Sequence, residues 1–278
     1  YQPSRGLGDV YKRQIKHKLY SQIDKVRSPN SIISSNTSTI PLSILTQEMS
    51  DTMKADFCIT HFFNPVRFMR LLEIVETPTM NKDKMSGLRD FCQNELGKGI
   101  VNCNDTPGFI GNRIGVYAMQ VAMYEALERG LPVEIADALF GRPLGIPKTG
   151  VFGLYDLIGI DLMKDVLASF KKELQENDPF MDVVAPHPLV EKLLEKGFNG
   201  NKGPGGFYQT TVVDDDEIVK AMNTLDMSYY DFDKVDLDIA RRVEKEGIKA
   251  LLDDDSEYGR YAFAVLAKII NYLSLIHI

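Results

Sequence analysis

The hydrophobic pattern of the chain changes its period once, at Thr106-Pro107-Gly108, and that change limits the fold more than any other feature. Upstream, strand-like apolar runs fall at residues 31–34, 57–60, 71–75 and 100–103, with helical periodicity between them at residues 15–25, 45–53 and 82–96. Strands alternating with helices imply an α/β layer built on a mostly parallel sheet. Downstream, Ile110, Ile114, Tyr117, Val121, Tyr124 and Leu127 line one stripe of a long helix over residues 109–128, closed by Gly130 and Pro132. More helices are expected at residues 134–140, 162–174, 188–196, 238–252 and 258–272. A glycine-rich stop interrupts them at residues 199–208 and an acidic connector at 214–217, with no further strand. The fold class is therefore α/β followed by all-α.

Composition excludes several functions. A formal net charge of -7 over 278 residues argues against a nucleic-acid or anionic-membrane footprint, which needs a basic patch. No apolar run is read as approaching the roughly 18 to 20 residues of a membrane span. Cys58, Cys92 and Cys103 form no CxxC and no even-numbered framework, which points to reduced thiols in a cytoplasmic compartment and to no metal site.

Both ends look foreign to the fold. Residues 4–14, SRGLGDVYKRQ, and residues 273–278, LSLIHI, each read as a frame of a transposase adapter used in sequencing libraries, in opposite orientations. The expectation is that residues 1–14 and 273–278 are adapter translation and that residues 15–272 come from a longer reading frame. His17, His61 and His187 are then the histidines available for chemistry.

A histidine and a carboxylate on successive elements can act as a base and its orienter, because the carboxylate accepts the second imidazole N–H and favours the protonated ring. His61 and Glu73 stand twelve residues apart, with Asn64-Pro65 between them to reverse the chain. On the residues alone, His61 also reads as a hydrogen-bonded core histidine. Glu73, inside LLEIV, also reads as a partner for a helix dipole or for Arg70.

Three stretches in register, SNTSTIPL, HFFNPVRFMRLLEIV and GKGIVNCNDTPGFIGNR, resemble the L-3-hydroxyacyl-CoA dehydrogenase family in order and spacing. The resemblance implies that residues 15–104 are the C-terminal part of a Rossmann-type NAD-binding domain and residues 105–208 a helical dehydrogenase C-terminal domain. It implies NAD as cofactor and an acyl-CoA substrate. His61 is the implied base that takes the proton from the 3-hydroxyl, and Glu73 the carboxylate that holds it. Ser38, Asn64 and Asn112 are implied near the substrate, Ser38 also beside the cofactor. The strand-end capping that Ser38 offers is equally available to Ser35 or Thr37. Lys16 and Lys202 are implied on the cofactor side; Lys202 stands in NKGPGGFY, which departs from the family's KTGxGFY at Gly203-Pro204.

The family's GxGxxG turn, whose N–H groups hold the NAD pyrophosphate, does not occur in the chain. Residues 209–272 resemble the linker and start of a second helical domain in fused fatty-acid oxidation proteins that also carry an enoyl-CoA hydratase domain. Phe263, Leu266, Ile269 and Ile270 are expected to pack it, as a homodimer or an internal pseudo-dimer through helical domains. The expected function is a truncated NAD-dependent 3-hydroxyacyl-CoA dehydrogenase of β-oxidation, inactive by itself. The competing expectations are a short-chain 3-hydroxybutyryl-CoA dehydrogenase and a non-catalytic helical assembly or acyl-CoA-binding module.

Overall fold

A computed structural model describes residues 5–38, 40–141, 144, 149–213, 216–232, 235 and 237–277, and in it the chain parts into two units, Tyr1–Arg113 and Ile114–Ile278. The first unit runs α1 (Arg5–Val26), β1 (Ile33–Ser35), α2 (Leu42–Leu45), α3 (Asp51–Lys54), β2 (Phe57–Phe62), β3 (Leu71–Glu76), α4 (Lys82–Asp90) and β4 (Gly99–Asn102). Arg5 to Gln14 continue α1 without a break into the residues that follow. The sheet order is β1-β2-β3-β4, with β1/β2 and β3/β4 parallel and β2/β3 antiparallel.

Alternation along the strands builds a core on each face of this sheet. Phe57, Ile59 and Val75 pack with Tyr20 of α1, Leu42 and Leu45 of α2, and Met53 of α3. Cys58, Leu72 and Ile74 point the other way, onto Met85 of α4 and Cys92 in the π-helical turn that prolongs it. Each large apolar side chain so buried contributes roughly 1.5–3 kcal/mol. Where one helix was expected over residues 45–53, two short ones form, because Ser50 stops the chain and caps α3 by accepting from the Met53 N–H. Asn81 caps α4, accepting from the N–H groups of Asp83 and Lys84. Asp56, just before β2, ties the two helical layers together: it accepts from Arg27 at 2.7 Å and from Lys84 at 2.6 Å.

The second unit is led by α5 (Gly111–Glu128), which begins in the last residues of the first unit, followed by α6 (Val133–Leu139), α7 (Phe152–Ile158), α8 (Ile160–Glu173) and α9 (Pro188–Glu195). Its core gathers Val121, Ala122 and Met123 of α5 with Phe152, Tyr155, Leu167, Phe180 and Leu193. Gln120 is fully buried there and satisfied at both ends: its amide donates to the carbonyls of Val183 and Ala185, and its carbonyl accepts from the Tyr155 hydroxyl. His187 is a cap rather than a chemical group, its Nδ1 accepting from the Leu189 N–H at the start of α9. Burial lowers its pKa, in keeping with a neutral acceptor ring.

After Phe207 the structure departs from the expected strand-free stretch with its acidic connector. Tyr208–Val213, Asp216–Met222 and Tyr229–Asp231 form β5, β6 and β7, an antiparallel meander in the order β5-β6-β7. Residues 214 and 215 of the acidic stretch lie outside the described residues. Helices α10 (Asp238–Glu246), α11 (Lys249–Leu252) and α12 (Glu257–His277) follow. By length and composition α12 is apolar enough to cross a membrane, which corrects the reading that no run approached a span. Its Tyr261, Val265 and Tyr272 nevertheless sit in the core of the second unit, with Lys268 paired to Glu125. Of the residues expected to pack this region, Ile269 is buried, whereas Phe263 and Ile270 face outward.

Candidate active site

The site grows out of the β2–β3 hairpin. In its antiparallel register His61 lies directly opposite Glu73, so the twelve-residue spacing brings the two side chains onto the same face of the sheet. That face is the one carrying Phe57, Ile59 and Val75, and the pair continues it at the strand end. His61 is 7% exposed and Glu73 is fully buried. Imidazole Nδ1 lies 2.7 Å from Glu73 Oε2, so Nδ1 carries the proton and donates it to the carboxylate. Nε2 is left as the ring's acceptor. The alternative of Arg70 as the glutamate's partner is not realised: Arg70 is exposed in the hairpin loop.

Glu73 has further partners that carry no residue-type signature. Its Oε1 accepts from the backbone N–H of Gly111 at 2.6 Å and of Ile110 at 2.9 Å, at the start of α5, where the helix dipole favours a negative charge. The Cys103 thiol adds a weak donor at 3.7 Å. Burial by itself would push Glu73 up. The His61 hydrogen bond and the N–H groups of Gly111 and Ile110 outweigh it, so the carboxyl is held below its usual range and is ionised. Burial, together with the Glu73 charge, pushes Cys103 up to about 12, so it stays a thiol.

Aromatic rings wall the imidazole. Phe63 packs edge-on at 4.6 Å between centroids and Phe109 lies at 5.7 Å. Phe109 holds a left-handed φ of 48° beside Gly108 at 70°, a strained turn that delivers the chain into α5.

Of the remaining expected residues, those of the first unit differ in how near this pair they lie, and Lys202 lies outside that unit. The SNTS stretch leaves the end of β1, which runs parallel to β2 and so ends on the same side as His61. Its structural bonds are made by Ser35, which accepts from the Tyr20 hydroxyl, Asn36, which accepts from the Phe62 N–H at 2.8 Å, and Thr37, which accepts from the Ile40 N–H. Ser38 is partly buried in the bend beyond them. Asn112 occupies the first turn of α5, next to the Gly111 N–H that holds Glu73. Asn64 is exposed in the hairpin loop, before a cis peptide bond to Pro65. Lys16 lies on α1. Lys202 belongs to the second unit, where its ammonium donates to the Ile158 carbonyl at 2.6 Å. His17, the other candidate histidine, has its Nδ1 3.3 Å from Glu48 without hydrogen-bond geometry.

The His61–Glu73 pair fits one end of a nicotinamide site. A base with its orienter stands at the strand ends, where such sheets hold ligands. A cradle for a pyrophosphate is not formed among the described residues: no glycine-rich turn joins a strand to a helix, and Gly6 and Gly8 lie within α1.

Comparison with known proteins identifies the family. Residues 10–106 match the family model described as 3-hydroxyacyl-CoA dehydrogenase, NAD binding domain, and residues 108–210 match 3-hydroxyacyl-CoA dehydrogenase, C-terminal domain. A putative fatty acid oxidation complex trifunctional enzyme of Rickettsia felis is 38% identical over 265 residues, covering 95% of this chain and 36% of that protein. A probable 3-hydroxyacyl-CoA dehydrogenase of Bacillus subtilis is 31% identical, over 93% of this chain and 33% of its own length. The chain thus spans about a third of the length of these curated relatives. Among solved structures, 3-hydroxybutyryl-CoA dehydrogenase from Escherichia coli superposes with a TM-score of 0.60 at 29% identity, covering 71% of this chain and 40% of that one. With both domain models matched in sequence order, this chain belongs to the 3-hydroxyacyl-CoA dehydrogenase family, whose cofactor is NAD.

Proposed function

We propose that the chain supplies the proton-transfer side of an NAD-dependent dehydrogenase that interconverts L-3-hydroxyacyl-CoA and 3-oxoacyl-CoA in fatty-acid β-oxidation. The observation that carries this reading is the buried His61–Glu73 pair, with Nδ1 committed to the carboxylate and Nε2 left to accept. His61 takes the proton of the substrate's 3-hydroxyl on Nε2. The imidazolium formed is stabilised by Glu73, whose charge is in turn held by two N–H groups. Ser38, Asn64 and Asn112 are the proposed substrate contacts, and Lys16, Ser38 and Lys202 the proposed contacts on the cofactor side. NAD, when bound, supplies the hydride chemistry at C3.

The multifunctional context is part of the same reading. It is supported by the trifunctional name of the Rickettsia relative and by the length of that protein. The absence of a GxGxxG turn from the sequence supports low or no turnover by the chain alone. Three free thiols, two of them buried, support a reducing, cytoplasmic setting. A second reading, a short-chain 3-hydroxybutyryl-CoA dehydrogenase, is favoured by the name of the Escherichia coli structure, and acyl-chain preference separates the two.

The test is acetoacetyl-CoA-dependent NADH oxidation by a full-length enzyme carrying this segment. Loss of general-base catalysis in H61A lowers kcat by roughly 10²- to 10⁴-fold. An H61A enzyme that kept its rate would overturn the assignment, and clear turnover by the 278-residue chain would overturn its inactivity.

A further inference from the structure

The His61–Glu73 pair fixes one edge of the imidazole, but a single hydrogen bond leaves the ring free to swing about that contact. Something else has to set the direction in which Nε2 points. Phe63 is placed to do so. Its half-buried ring meets the imidazole edge-on, with centroids 4.6 Å apart and planes at 60°. The tip of the same ring lies close over Gly111. A Cβ added there would fall 2.5 Å from Phe63 Cζ, 3.0 Å from Cε1 and 3.4 Å from Glu73 Oε1. Contacts of 2.5 Å do not occur, so any side chain at position 111 displaces the Phe63 ring. Gly111 does not hold the positive φ that would by itself call for glycine. Close approach is therefore the physical reason for glycine here.

We infer that Phe63 and Gly111 are positioning residues: the Phe63 ring, wedged between the His61 imidazole and the backbone of Gly111, holds the imidazole so that Nε2 stays aimed outward while Nδ1 stays on Glu73. One backbone position thereby serves both members of the pair. The Gly111 N–H anchors Glu73 Oε1, and the bare Cα of Gly111 makes room for the ring that steadies His61. The inference rests on the proposed role of His61 for its use, but its test needs no turnover, so the two fail separately.

The experiment is nuclear magnetic resonance on the 278-residue chain with labelled histidines, His61 being assigned by its loss in H61Q. The readouts are hydrogen exchange of the His61 Nδ1–H and the Nε2 chemical shift, with the thermal midpoint recorded alongside. In F63A and in G111A the Nδ1–H should exchange about tenfold faster, the scale of one weakened hydrogen bond. F63Y, which keeps the ring, should match the parent. In the double variant F63A/G111A the exchange should be no faster than in F63A, because Gly111 acts through the ring. Exchange within twofold of the parent in folded F63A and G111A would overturn the inference, and so would additive effects in the double variant. Should F63A or G111A fail to fold, F63L against F63Y decides: a shift in F63L alone supports the wedge, and parent-like behaviour in both removes it.

Discussion

His61 and Glu73 face one another across the β2–β3 ladder, and Glu73 in turn accepts from the first N–H groups of α5. A base, its orienter and a helix terminus thus form one chain of contacts, Nδ1–H to Oε2 and then Oε1 to backbone. Both oxygens of the carboxylate accept from a donor, and the consequences can be measured.

Replacing Glu73 by glutamine keeps the shape and reverses part of the chemistry. Turned toward α5, the amide nitrogen confronts the two backbone N–H groups; turned toward His61, it meets Nδ1–H as a second donor unless the ring moves its proton to Nε2 and lets Nδ1 accept. Each buried donor so stranded costs about 1–3 kcal/mol. E73Q should lower the stability of the first unit by an amount in that range and free the His61 ring. A urea midpoint unchanged from the parent would count against the arrangement.

The same carboxylate sets a pH dependence. Burial raises Glu73, and the His61, Gly111 and Ile110 bonds bring it below the usual 4.5. Its stabilisation is therefore complete above that usual value and is lost as pH falls through the depressed folded value. Asp24 and Asp56 are held low as well. For Asp24 the Arg27 bond leads; for Asp56 burial opposes and the Lys84 and Arg27 bonds prevail. Denaturation between about pH 6 and 3 should show stability falling on the acid side, with a shallower fall in E73Q. Equal slopes in the two proteins would contradict the contribution of Glu73.

Asp56 is nearly buried, and its two partners, Arg27 and Lys84, come from different helical layers. D56A takes one acceptor from each cation, leaving Arg27 with Asp24 and Lys84 with the Pro29 carbonyl, and the loss of these charge-assisted bonds costs about 1.5–3 kcal/mol. Because the Arg27–Asp56 pair is shielded from solvent, added salt should change the loss little. A loss that vanished in salt would mark the pair as a surface contact.

In the second unit, Q120L conserves volume and removes a bridge. The Val183 carbonyl and the Tyr155 hydroxyl then lose their partner inside the core, whereas the exposed Ala185 carbonyl keeps the Tyr124 hydroxyl. At about 1–3 kcal/mol for each buried group left unmade, the variant should be clearly less stable by chemical denaturation. A change below roughly 0.5 kcal/mol, the range of a neutral surface substitution, would refute it.

The hairpin was legible because its signals are side-chain signals. Alternating apolar strands flank Asn64-Pro65, and a histidine and a glutamate sit where antiparallel pairing makes them opposite. The anchor of Glu73 was not, because backbone N–H groups look alike in every sequence and these come from residues 37 and 38 positions downstream. The SNTS stretch shows a related limit: Ser35, Asn36 and Thr37 are interchangeable small polar residues until their partners are located. The β5–β7 meander was misread for another reason. Tyr208–Val213 is rich in β-branched residues and reads as a strand, but the acidic residues after it drew attention to solvation rather than to a turn.

The loop joining β2 to β3 is exposed at every residue from Asn64 to Arg70, and it contains Arg67 and Arg70. It is held by Lys98, whose ammonium donates to the carbonyls of Val66 and Met69, and by the Gly99 N–H, which donates to the Arg70 carbonyl. Trypsin would therefore find a cleavage point between the base and its orienter. A nick there cuts the covalent tether and with it the entropic advantage of a short loop, yet leaves the ladder and the α5 N–H groups in place. The pair would become an association between two pieces of polypeptide, and how long it outlasts the cut would measure how much of its geometry the fold supplies without help from chain continuity.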